Sequence, residues 1–345
     1  MPRQAPSSPV LVAIIVLVAL LGGLLSRSSQ LDVTTGLVQM CIVIGLYAFI
    51  GVTGVFSFGH IAFAAIGAYV AGVVAVPLAQ KELLYPDLPG WLAGVEVDPL
   101  LAVLVGALAA GAAACALAPA LGRVSGLSAA LATFALLVIV YVIARNYEPL
   151  TRGTKGMLGV PRETTLWVAA AWAIVFVVVV ERFQDSRVGL QLRAAREDDV
   201  AAGAAGARVG MLRGVALILS GVLVGLAGGV YGQLLGSFNP EVFYLDLTFV
   251  TLAMLVVGGI NSLNDAVIGA LVLTFISQFL RDLESALDRP GLTEVCFAVL
   301  MFAILVLRPS GLTGGRELRP PWWPPRRLGR ADVPDPVATP PTARE

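Results

Sequence analysis

Three stretches of this chain carry residue types that could contact a polar solute or a protein partner. The first, "GVFSFGHIAFAAIGAY" (54–69), interrupts an apolar run with Ser57, Gly59 and His60, then resumes through Phe63, Gly67 and Tyr69. The second, "GGINSLNDAVIGA" (258–270), does the same with Gly258, Gly259, Asn261, Ser262 and Asp265, and both resume with Ile-Gly-Ala. A broken helix exposes backbone amides and carbonyls to a polar solute near the membrane midplane, and paired interruptions suit an internal repeat. A loop at the membrane surface is the alternative for each. The third stretch, Glu181 to Arg213, holds six arginines and five acids, eleven of the 46 charged residues in the chain. Its types suit a soluble protein contact set between two apolar runs.

Other chemistries find little support. The single histidine, His60, stands at the edge of an apolar run, and a solitary histidine is more often a satisfied hydrogen-bond partner than a proton relay. Cys41, Cys115 and Cys296 all lie inside apolar runs, without metal spacing or a disulfide framework, and read as scattered buried thiols. There is no Gly-x-x-x-x-Gly-Lys-Ser/Thr phosphate loop. The formal net charge is zero, which gives no reason to expect nucleic acid, and no cofactor is expected on this chain. Such a chain either draws its energy from a partner or is a passive pore.

The elements that must position these residues follow from composition. The chain is 57% apolar and 13% charged, with a mean hydropathy of +0.86, and its apolar residues come in runs long enough to span hydrocarbon. The fold class expected is all-α, a polytopic transmembrane helical bundle, because helices satisfy their own backbone in lipid. Spans are read at 10–26, 36–56, 60–80, 99–121, 126–144, 165–182, 213–235, 246–260, 266–281 and 292–308, about ten crossings of roughly 20 residues each. The breaks near Ser57 and Ser262 could be re-entrant. The run Val10–Leu25 reads as a retained first helix, because its flank "SRSSQ" lacks a small-x-small cleavage site. Residues 1–315 form the membrane domain, and the Pro- and Arg-rich tail 316–345 reads as disordered. In "GVALILSGVLVGLAGGVYG" (214–232), Gly221, Gly225 and Gly229 recur every fourth residue, the spacing of close helix packing in lipid.

Arginine in short loops sets orientation. The 182–213 segment and the tail both read as cytoplasmic, four crossings apart, which places the N-terminus inside as well. The loop 145–164 falls outside although it carries Arg145, Arg152, Lys155 and Arg162.

These residues together resemble the LivM-type permeases of branched-chain amino acid ABC importers. "GVTGVFSFGHIAFAAIGAYVAG" is similar to that family's Gly-x-x-Gly-x-x-Ser-x-Gly-His-x-x-Phe-x-x-x-Gly-Ala-Tyr signature. "TRGTKGMLGVP" is similar to its external Gly-Thr-x-Gly-Leu loop, with Met157 for leucine. "SRVGLQLRAAREDDVAAGAAGARVGMLRGVALILSGVLVGLAGGVYG" resembles its longest motif. "VVGGINSLNDAVIGA" resembles its last, departing at Asn261 and Asp265, where glycine is usual, and at Ala266, where proline is frequent. The match runs in order from about residue 36 to 312.

The resemblance implies a permease in the bacterial inner membrane. It implies a homologous second permease subunit, two ATP-binding subunits and an external substrate-binding protein as partners. The charged loop would dock on the ATPase. On a helix, Arg193 and Glu197 are spaced to pair, leaving Arg196, Asp198 and Asp199 toward the partner. Asp199 is placed to cap a short helix from Val200 that ends near Gly206, with Ala202 in its small surface. Urea, short amides or a monosaccharide are other cargoes for the same mechanism, and an ion-coupled carrier or channel is the reading from a different class.

Overall fold

The structure, a computed structural model, describes residues 8–287 and, beyond them, residues 291, 295, 296, 298, 299 and 302. Fourteen α-helices run through the described residues. They are α1 (Ser8–Gly23), α2 (Arg27–Thr53), α3 (His60–Ala75), α4 (Leu78–Leu84), α5 (Gly90–Ala93), α6 (Pro99–Leu121) and α7 (Gly126–Asn146). After them come α8 (Glu148–Thr151), α9 (Leu166–Gln184), α10 (Arg187–Glu197), α11 (Asp199–Ala204), α12 (Val209–Leu235), α13 (Leu245–Gly258) and α14 (Leu263–Leu287). Seven are long and apolar enough to cross a membrane, taking α13 with the turn at Pro240–Phe243; they become eight if α3 and α4, bent by 113° at Val76–Pro77, make one broken crossing. The apolar α1, 16 residues long, is shorter. Each of the first nine expected spans falls on a helix. The tenth lies almost wholly outside the described residues and the tail wholly so; the described residues hold seven or eight of the expected ten crossings.

Local sequence sets the boundaries. Ser26 caps α2 through the Ser29 amide at 3.5 Å, Asp98 caps α6 through the Leu100 amide at 3.0 Å with Pro99 next, and Thr165 caps α9 through the Val168 amide at 3.4 Å.

Helices α2, α3, α6 and α12 form the centre, with α9, α13 and α14 packed on α2. Close approach is achieved by small residues. A Cβ on Gly67 of α3 would collide with the Gly225 carbonyl of α12, one on Gly106 of α6 with the Gly67 carbonyl, and one on Gly228 with the Ala64 carbonyl. Gly221 and Gly225 face the methyls of Ala114 and Ala110. Spacing by fours therefore serves packing here.

The helices alternate between two ends. At one, the arginine end, the Ser8 amide donates to Glu181 Oε1 at 2.8 Å, and Gly122 lies against the Gly210 carbonyl. The far end gathers 76–98, 147–165 and 236–244. There the Met157 amide donates to the Phe238 carbonyl at 2.7 Å, and Arg162 donates twice to the Leu235 carbonyl, at 2.9 and 3.2 Å. The basic loop 145–164 thus lies opposite α10 and α11. Two thiols depart from the buried reading: Cys115 is exposed on the outward face of α6, and Cys296 is half-buried, whereas Cys41 is buried in α2.

Gly67→Leu is expected to overpack the α3–α12 crossing and destabilise the protein by about 1–3 kcal/mol. Gly90→Leu, where a Cβ meets nothing within 4 Å, is expected to be neutral. Thermal aggregation of the detergent-solubilised variants measures both.

Candidate functional site: two membrane breaks and the charged loop

The first break begins at the last turn of α2. Thr53 Oγ1 donates to the Phe49 carbonyl at 2.8 Å and accepts from the Val55 amide at 3.2 Å. Gly54 caps the helix with φ 72°, a left-handed conformation natural to glycine, its amide returning to the Ile50 carbonyl at 2.9 Å. The chain then runs non-helically into the bundle. The Phe58 amide donates to Thr133 Oγ1 of α7 at 3.2 Å, and Gly59 presses on the Thr133 carbonyl so closely that a Cβ would collide. Ser57 Oγ lies 2.7 Å from His60 Nδ1 and accepts from the Gly59 amide at 3.4 Å. The His60 ring is held between Phe49 and Phe63, with centroids at 5.1 and 5.9 Å. Its Nε2 is buried with no partner among the described residues. Ser57, Gly59, His60, Phe63, Gly67 and Tyr69 are all buried, and Tyr69 sets its ring edge against Phe238 at 5.2 Å.

The second break is a tight hairpin. Gly258 ends α13 against the Asp265 carbonyl and the Gly269 Cα, and Gly259 turns the chain at φ 122°. Ser262 Oγ accepts from the Asp265 amide at 3.2 Å, the pattern of an N-cap for α14. The Asp265 side chain is fully buried and folds over Gly259. Asn261 is exposed at the tip.

The charged loop is built from α10 and α11, and here three expectations change. Ser186 caps α10 through the Gly189 amide at 3.2 Å. Arg193 turns back to the Gln184 carbonyl at 2.8 Å and to Asp185 at 3.5 Å, because the end of α9 lies within its reach. Burial raises the Asp185 carboxyl above its ordinary value, and the Arg193 charge opposes that shift. Asp198, one residue before the expected cap, accepts from the Val200 and Ala201 amides at 2.9 Å each. Asp199 instead pairs with Arg213 of α12 at 2.9 Å. Arg196 points into the bundle rather than toward a partner. Its Nη1 donates to the Gly51 carbonyl at 2.6 Å and the Ile260 carbonyl at 3.3 Å, and its Nη2 to Asn261 Oδ1 at 2.6 Å.

What faces outward is Glu197, Asp198 and Val200, the last 82% exposed, with Ala201, Gly203 and Gly206 beside them. Ala202 is buried beneath. Asn261, read with the solute path, therefore meets Arg196, read with the docking loop. A cleft of about 350 Å³ lies beside this junction, lined by Thr53, Gly54, Ser125, Arg196, Asp199 and Arg213. Sequence reasoning missed Thr133, which carries the first break, since nothing local marks one threonine in an apolar helix. It also missed Asn264, buried at 1% exposure with neither amide atom partnered among the described residues.

With the native cysteines replaced by alanine, Asn261→Cys is expected to react with a polar thiol reagent about tenfold faster than Ser57→Cys or Ser262→Cys, because only the first side chain reaches solvent without local opening. Mass spectrometry of the labelled chain reads the difference.

The family described as "Branched-chain amino acid transport system / permease component" matches residues 33–307. The chain is 23% identical over 336 residues to the high-affinity branched-chain amino acid transport system permease protein LivM of Escherichia coli K12, covering 88% of this chain and 74% of that one. It is 25% identical over 306 residues to LivH, the similarly named permease of the same organism, covering 83% and 94%. LivH of Salmonella typhimurium is 24% identical over 309 residues, covering 83% and 94%. No solved structure matches.

Proposed function

The chain belongs to the branched-chain amino acid transport permease family, and from that premise we propose that it is one permease subunit of an ABC importer for branched-chain or related amino acids. Energy comes from ATP hydrolysed by two partner subunits, and cargo from an external binding protein. The observation that carries the reading is the division of labour in α10 and α11. One face is fixed into the bundle through Arg193, Arg196 and the Asp199–Arg213 pair, while Glu197, Val200 and the small residues after it face outward, with Asp198 exposed among them as the cap of α11. That is the form of a docking platform whose movement must reach the membrane. The arginine end is then cytoplasmic, in keeping with the positive-inside rule, and the N-terminus lies on that side. A second, homologous permease completes the path.

Cargo follows the relatives' names and the near absence of fixed charge along the apolar first break, where Phe56 is exposed and Phe58 and Phe63 lie close by. Asp265, folded over Gly259, is placed to hold the second hairpin.

In cells expressing the whole transporter, labelled leucine is expected to accumulate in an ATP-dependent way that survives collapse of ion gradients. Glu197→Lys with Asp198→Asn, which keeps a side-chain cap on α11, is expected to reduce uptake about tenfold or more, with the protein still in the membrane, because a changed charge at a docking face repels its partner. Normal uptake by the double variant sinks the docking assignment. Urea or ribose uptake without leucine uptake replaces the cargo and keeps the mechanism.

A further inference from the structure

We propose that Arg196 is the positioning residue through which the α10–α11 unit holds both membrane breaks at once, so that displacement of these helices moves the two breaks together. The proposal rests on the importer reading and deepens it: Arg196 acts inside the permease, not on the ATPase.

The geometry carries it. One guanidinium reaches three acceptors on two elements far apart in sequence: the Gly51 carbonyl at 2.6 Å, the Ile260 carbonyl at 3.3 Å and Asn261 Oδ1 at 2.6 Å. Gly51 lies in the last turn of α2, where carbonyls lack a partner within the helix, and Ile260 lies in the non-helical turn between α13 and α14. A planar fork with five N–H donors can serve such divergent acceptors, and an ammonium on a flexible stem cannot serve them equally. The stem is fitted as well as the head. A Cβ on Gly54 would stand 2.7 Å from Arg196 Cγ, so the glycine that starts the first break also makes room for this side chain. Arg196 is followed at once by the outward Glu197, the last residue of α10, and by Asp198 at the junction with α11. The partner-facing and break-facing residues are therefore consecutive, with no flexible linker between them. Beside them the open cleft lies between the end of α2 and the start of α12.

The test uses the complete transporter, with both permeases, ATPase subunits and binding protein, in proteoliposomes. Leucine moved and ATP hydrolysed are measured in the same sample, and bound ATPase subunits are quantified. Arg196→Ala is expected to retain its ATPase subunits and ATP turnover while leucine moved per ATP falls about tenfold, the size of a typical coupling between sites. Arg196→Lys should recover part of that ratio. Asn261→Ala, which removes one acceptor and leaves the fold alone, should fall between wild type and Arg196→Ala, and it carries the test if Arg196→Ala does not fold. An unchanged ratio in Asn261→Ala and either Arg196 variant overturns the proposal. Loss of the ATPase subunits from Arg196→Ala also overturns it, because Arg196 would then be a docking contact. Absence of ATP-dependent uptake by the wild-type complex would strike the importer reading instead, whatever the variants do.

Discussion

The structure depends on how closely α12 can lie against α3 and α6. In lipid no hydrophobic effect presses helices together, so attraction comes from backbone brought near backbone. Gly67, Gly106 and Gly228 permit that by lying against carbonyls that a Cβ would strike, and Gly225 by leaving room for the Ala110 methyl. The crossing has no tolerance for added volume, and everything that functions hangs from it. The first break is carried on α3 and the charged loop leads into α12, so their separation is fixed by the same glycines.

A second constraint governs the breaks. Helix interruption frees amides and carbonyls from their helical partners, and those buried away from water must be answered from within the protein. At the first break the answers come from Thr53, Ser57 and Thr133; at the second from Ser262; and between the two from Arg196. Hydroxyls suffice where one amide needs one acceptor. A guanidinium appears where carbonyls from separate elements converge. The residue types in these motifs thus follow from backbone accounting as much as from contact with a solute.

That accounting explains what was legible in the sequence. Helix positions were, because apolar runs and Gly, Ser and Pro punctuation are local signals. Both interruptions were, for the same reason, and so was the packing role of Gly221, Gly225 and Gly229. The inward turn of Arg196 was not, because its acceptors lie 145 and 64 residues away in sequence and are mostly main-chain atoms. Helical periodicity gave Arg196 a face but could not say which face met protein. The cap slipped by one residue, from Asp199 to Asp198, since two adjacent aspartates look alike until Arg213 claims the second. The 113° bend after α3 was passed over although Pro77 marks it, because the apolar run continues through Leu78 and Ala79 on its far side.

The stitching of the far end has a mechanical consequence. Helix α12 is 27 residues long, about 40 Å at the usual rise, and starts where the charged loop ends. Beyond its last turn, main-chain bonds pair Phe238 with Met157 and bring the Val160 amide to the Gly236 carbonyl at 3.2 Å, while Arg162 grips the Leu235 carbonyl. The far-end segment 157–162 is thereby fastened to the tip of a stiff rod whose other tip sits among the arginines. Such a rod ties its ends together: a tilt at its base carries the far-end segment 157–162 with it, because main-chain bonds and a guanidinium join the two.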